Sequence, residues 1–137
     1  MKNALTVFNF SDTLTFFSIG YECHHEGIAT LAGILLATDA INRSTPSREE
    51  LEGALNKLLA SGYIAMSNKD YLLTPRGKAI YYGTTRTPEM TVFDQIHEVQ
   101  RKLSKKSPLA ESLNAIIITE RQFRNAIKGA HNLFKQL

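Results

Sequence analysis

Cysteine occurs once in this sequence of 137 residues, tryptophan not at all and proline four times. One thiol cannot build an internal disulfide framework, so the chain must hold itself together by packing. No stretch approaches the roughly 18–20 uninterrupted apolar residues that a membrane helix needs. The opening MKNALTVFNF has no apolar run leading to a small-residue cleavage site, which points to a soluble, cytoplasmic protein. Absent too are a glycine-rich phosphate loop, a His-x-x-x-His pair and a nucleophile elbow. An enzyme, a bound cofactor and a resident metal are therefore not expected. The hydrophobic share is 43%, ordinary for a globular chain of one-domain size.

Charge is scarce overall, at +3, but it is unevenly placed. Residues 1–83 hold seven Lys/Arg against eight Asp/Glu, a net of −1; residues 84–137 hold nine against five, a net of +4. A local excess attracts phosphates where a uniform one would not, so any basic surface is expected to be C-terminal.

The pattern of apolar residues, caps and turns gives a helical chain with one hairpin. A first helix is expected from Ser11, with Leu14, Phe17 and Tyr21 on one face and Gly27 as its stop. Thr30 opens a second, carrying Leu31, Ile34, Leu35, Thr38 and Ile41. Ser47 and Glu50 are spaced as a capping box for a third, whose stripe is Leu51, Ala54, Leu55 and Leu58. Two short apolar runs, 63–66 and 71–73, flank the turn cluster Ser67-Asn68-Lys69-Asp70 and read as a β-hairpin. Thr74 and Pro75 start a fourth helix. After the connector 84–88, a helix is expected from Thr91 to Leu103. Residues 115–118 are either a short strand or the buried entry to a last helix, capped by Thr119 and Gln122.

Helix–turn–helix followed by a two-stranded wing is the winged-helix order. The string LEGALNKLLASGYIAMSNKDYLLTPRGKAI, with its leucine-rich helix, Gly-aromatic-Ile, short wing and Leu-Thr-x-x-Gly, resembles the pattern of MarR-type and PadR-type regulators. The longer block ATLAGILLATDAINRSTPSREELEGALNKLLASGYI is closer still to small, uncharacterised bacterial winged-helix proteins. The resemblance covers residues 11–83. It implies an α+β, mostly α fold: a winged-helix domain over 1–83 and a helical extension over 84–137. In such regulators, helices outside the wing domain make a dimer, so a homodimer through the C-terminal helices follows as an expectation.

Duplex DNA recognition by this fold places the start of the third helix in the major groove and the wing on the backbone. The residues so placed are Ser47, Arg48 and Asn56, with Asn68 and Lys69 from the wing. Arg48 is suited to a guanine edge and Asn56 to an adenine edge, while Arg43 and Ser44 suit phosphates. Glu49, Glu50 and Glu52 oppose this reading, because carboxylates beside a phosphate backbone work against the main attractive term. They favour an alternative, a winged-helix module that meets a protein partner through an acidic third helix. Arg121, Arg124, Lys128, His131 and Lys135 recur every three or four residues on the last helix and offer additional phosphate contacts. Arg101, Lys102, Lys105 and Lys106 cluster just before it.

Two further clusters invite weaker readings. Cys23-His24-His25-Glu26 has metal-ligating residue types, but consecutive helical positions diverge by about 100°, so at most two could share an ion, and a tetrahedral site would need His97 or His131 brought from afar. Phe16, Phe17, Tyr21, Tyr63, Tyr71, Tyr81 and Tyr82 could line an effector pocket, and at their spacing equally form a core. A ligand sensor is thus a third possibility. The expected partner is double-stranded DNA, with no membrane.

Overall fold

A computed structural model describes residues 7–87, 89–106 and 116–136. Among them are six helices and one two-stranded antiparallel sheet, an α+β arrangement dominated by helix. No helix among the described residues is long and apolar enough to cross a membrane.

Helix α1 (Phe10–Glu26) begins earlier than Ser11, because Asn9 and Asp12 close a reciprocal box. The Asp12 amide donates to Asn9 Oδ1 at 2.8 Å and the Asn9 amide to Asp12 Oδ2 at 3.1 Å. Ser11 lies inside the first turn, where its hydroxyl cannot serve as that cap. Gly27, at φ 81°, ends the helix in the left-handed conformation that glycine adopts without strain. Helix α2 (Leu31–Asn42) is capped by Thr30, and α3 (Arg48–Ala60) by the Ser47–Glu50 box.

The hairpin follows directly. Strand β1 (Ile64–Ser67) pairs with β2 (Asp70–Leu73) in the register Ile64↔Leu73 to Ser67↔Asp70, and Asn68 supplies the positive φ, 58°, that so tight a turn requires. Across the other edge of β2, Ala29 and Tyr71 exchange two 2.9 Å backbone hydrogen bonds. The segment between α1 and α2 thereby joins the sheet. Helix α4 (Pro75–Thr85) starts on Thr74 with Pro75 in its first turn. A Cβ at Gly77 would lie 2.2 Å from the Tyr63 carbonyl oxygen, so the Leu-Thr-x-x-Gly string needs its glycine for close approach to the strand entry.

Helices α5 (Val92–Lys106) and α6 (Glu120–Lys135) pack back onto the preceding elements, α5 against α1 and α4, α6 along α2. Thr91 Oγ1 accepts from the Asp94 amide and so starts α5. One continuous core crosses Gly83: Phe16, Ile19, Leu35, Leu55 and Tyr63 share it with Ile96, Val99, Leu103, Ile116, Ile118 and Ala126. The apolar stripe of α5 is thus used within the chain, each wholly buried Leu, Ile or Val contributing roughly 1.5–3 kcal/mol. Phe16, Phe17, Tyr63, Tyr71 and Tyr81 are core residues, with Phe8 and Phe16 each set edge-on to Tyr63 at 6.1 Å.

Candidate nucleic-acid interface

The polar stripe of α3 is where groove reading was expected, and the chain itself occupies it. Residues 116–118 are neither a ladder strand nor a helical turn but an extended connection laid along α3. Arg48, Glu52 and Asn56 recur every fourth residue, a climb of about 6 Å per step, close to the ~6.6 Å that two extended residues span. Asn56 therefore meets the backbone of Ile116, while Glu52 and Arg48 both meet that of Ile118. The Ile116 amide donates to Asn56 Oδ1 at 2.9 Å, and Asn56 Nδ2 donates to the Ile116 carbonyl at 2.8 Å. The Ile118 amide donates to Glu52 Oε2 at 2.8 Å, and the Arg48 guanidinium donates to the Ile118 carbonyl at 3.0 Å.

Arg48 is further held by Glu49 at 2.8 Å, Glu120 at 3.0 Å and Glu52 at 3.5 Å, and its Glu120 hydrogen bond is the main cause that raises its pKa. Asn56 is 9% exposed, with its second amide proton on the Glu52 carbonyl. Arg48, expected at a guanine edge, and Asn56, expected at an adenine edge, are here both bonded to the connection. Their hydrogen-bonding groups already serve a backbone. Ser47 caps its own helix. What α3 leaves at the surface near its start is acidic: Glu49 and Glu50 are exposed, whereas Lys57 is turned onto Asp12 at 2.6 Å and the Val7 carbonyl at 2.9 Å.

The other expected contacts are exposed. Arg43 sits at the left-handed end of α2, and Asn68 and Lys69 form the tip of the hairpin. On α6, Arg121, Arg124, Lys128, His131 and Lys135 fall within an arc of about 80°. All five are exposed, and among the described residues none makes an ion pair or side-chain hydrogen bond. The opposite face, with Ala126 and Ala130, is buried on α2, and Gly129 lets the helices approach: a Cβ there would stand 3.0 Å from that of Ala32. Arg101 is paired with Glu98, and Lys102 donates to Thr84 Oγ1 at 2.9 Å, so neither adds to this stripe. The side chains of Lys105 and Lys106 lie outside the described residues.

The remaining clusters do different work. Among the described residues no group of three His, Cys, Asp or Glu side chains is placed to hold a metal. Cys23 is half-buried with Sγ 3.7 Å from the Tyr71 carbonyl, and burial pushes its thiol pKa up, opposite to an activated nucleophile. His24 Nδ1 lies 3.0 Å from the Tyr82 hydroxyl.

Reading the sequence missed the partner of α3, and with it Gln122, Asn125 and Ile117, which line a groove between α6 and the hairpin. A usable signal was present: Gln122 and Asn125 are polar residues three apart on the flank between the basic and buried faces of α6. No family model matches this chain, and neither does any curated protein or solved structure.

Proposed function

We propose that this chain is a cytoplasmic winged-helix protein that binds nucleic acid, gripping the sugar-phosphate backbone with α6 rather than inserting α3 into the major groove. The winged-helix assignment is supported by the element order and by the Ala29–Tyr71 pairing, a one-residue β-bridge beside the hairpin. The single observation behind the binding mode is the α6 stripe. Five basic or titratable side chains face solvent along about 21 Å of helix, and among the described residues none of them makes an ion pair. Such a row suits successive phosphates. A role in transcriptional regulation fits this reading. Symmetric association through α6 alone fits it less well, because antiparallel copies would bring the same cationic flank onto itself.

The test is fluorescence anisotropy of a labelled mixed-sequence duplex, titrated from about 20 to 200 mM salt. Binding should fall steeply with salt. Arg121→Ala/Arg124→Ala/Lys128→Ala should weaken it at least about tenfold and flatten the log–log slope by about three. Arg48→Ala should leave sequence preference unchanged. No binding of the duplex or of its separated strands at the lowest salt overturns the proposal.

A second reading, a winged-helix module for protein assembly, is favoured by the exposed acidic edge of α3 at Glu49 and Glu50. Its discriminating variant is Glu49→Lys, which should abolish a partner contact while leaving nucleic-acid affinity unchanged or slightly higher.

A further inference from the structure

The groove between α6 and the hairpin has a volume of about 430 Å³, the size of a small-ligand pocket, and its makeup is specific. Met66 and Ile117, 43% and 71% exposed, give it an apolar floor. Asn68, Gln122 and Asn125 put three carboxamides on its walls, and Lys69 adds one ammonium; no carboxylate lines it. Among the described residues Asn68 and Asn125 have no side-chain hydrogen bond, and Gln122 uses only its Oε1, for the Thr119 amide. The backbone contributes as well. Because α3 holds the N–H and C=O of Ile116 and Ile118, the extended chain turns those of Ile117 the other way.

Around α6 the order of faces is continuous. At about 100° per residue, Gln122 and Asn125 lie between the buried Ala126 and the cationic arc that starts at Arg121. A chain whose phosphates follow the arc therefore has its bases beside the groove. Carboxamides and a backbone donor–acceptor pair match base edges, the apolar floor matches a base face, and Lys69 matches a phosphate. Stacked, paired bases present no free face to such a floor. A duplex held by its backbone along α6 keeps its bases paired and out of the groove.

We propose that the groove between α6 and the hairpin takes an unpaired nucleobase, so that the substrate class is single-stranded nucleic acid; the inference rests on the α6 backbone reading above.

The test uses the full chain and labelled oligonucleotides of about 20 nucleotides, as single-stranded DNA, single-stranded RNA and the annealed DNA duplex. Either single strand should bind about tenfold more tightly than the duplex. Asn125→Ala/Ile117→Ala, both at exposed positions, should lower single-strand affinity about tenfold and change duplex affinity by less than about twofold. Equal affinity for strand and duplex with a silent double variant overturns the groove assignment and leaves the α6 reading standing. Equal weakening of strand and duplex by the double variant overturns it too. So does polyglutamate binding as tightly as the strands, which would make the site one for acidic polypeptide. Absence of all oligonucleotide binding at low salt overturns both proposals together.

Discussion

Along α3 the stripe Arg48, Glu52 and Asn56 is consumed by the chain, whereas along α6 the stripe Arg121, Arg124, Lys128, His131 and Lys135 stays open. Both are polar faces on amphipathic helices, and both recur at helical spacing. They differ in kind. The α3 stripe mixes donors and acceptors in step with an extended peptide, so a stretch of the same chain can satisfy it from end to end. The cations of the α6 stripe are donors only, all of one charge. No backbone edge can satisfy them, since half of that edge is itself N–H, and neighbouring cations repel. An outside anion is what such a row fits.

Four measurements can break or sharpen that contrast. The largest effect is expected from Asn56→Ala, which leaves the buried N–H and C=O of Ile116 without partners. Urea unfolding should register a loss of about 2–3 kcal/mol. A loss near zero would mean that the connection is not held by α3. The triple alanine variant of Arg121, Arg124 and Lys128 should come next. It should lose nucleic-acid binding while its unfolding free energy stays within about 0.5 kcal/mol of the parent. Substantial unfolding would show that the stripe is structural after all.

Hydrogen exchange gives the third comparison. The amides of Ile116 and Ile118 should be protected and that of Ile117, between them, should exchange faster. Uniform exchange across the three would dissolve the strand-on-helix picture. The smallest effect concerns alkaline pH. Burial pushes the Tyr71 and Tyr81 hydroxyls up to about 12, so the folded state keeps protons that the unfolded state releases near 10. Their stabilisation is complete below pH 10 and is lost as pH rises from 10 through 12. Absorbance titration should find these two tyrosines ionising near 12; ionisation of both near 10 would contradict their burial.

The elements were legible in the sequence because their signals are local. Ser47 with Glu50, Thr74 with Pro75, and Thr119 with Gln122 lie within a turn of each other, and each cap stands where its spacing placed it. Asn9 with Asp12 was overlooked in favour of Ser11, because both offer a side-chain oxygen at the same end of the same apolar run. The use made of α3 was not legible. Its partners are backbone atoms, which carry no residue-type signature, and they stand sixty or more positions along the chain. The α6 stripe was legible for the converse reason, since periodicity alone defines it. Its neighbouring groove was not, because that requires knowing that the hairpin lies opposite.

That long separation has a consequence for how the molecule comes into being. Arg48 and Asn56 leave the ribosome well before Ile116 and Ile118, some sixty to seventy residues later, so α3 can form while its polar stripe is still unserved. At about 5–20 residues per second, synthesis of the intervening chain takes seconds, which makes the seating of the connection a late event. For that interval the nascent chain presents a helix whose Arg48 and Asn56 still lack their backbone partners from the connection, and the mature chain does not.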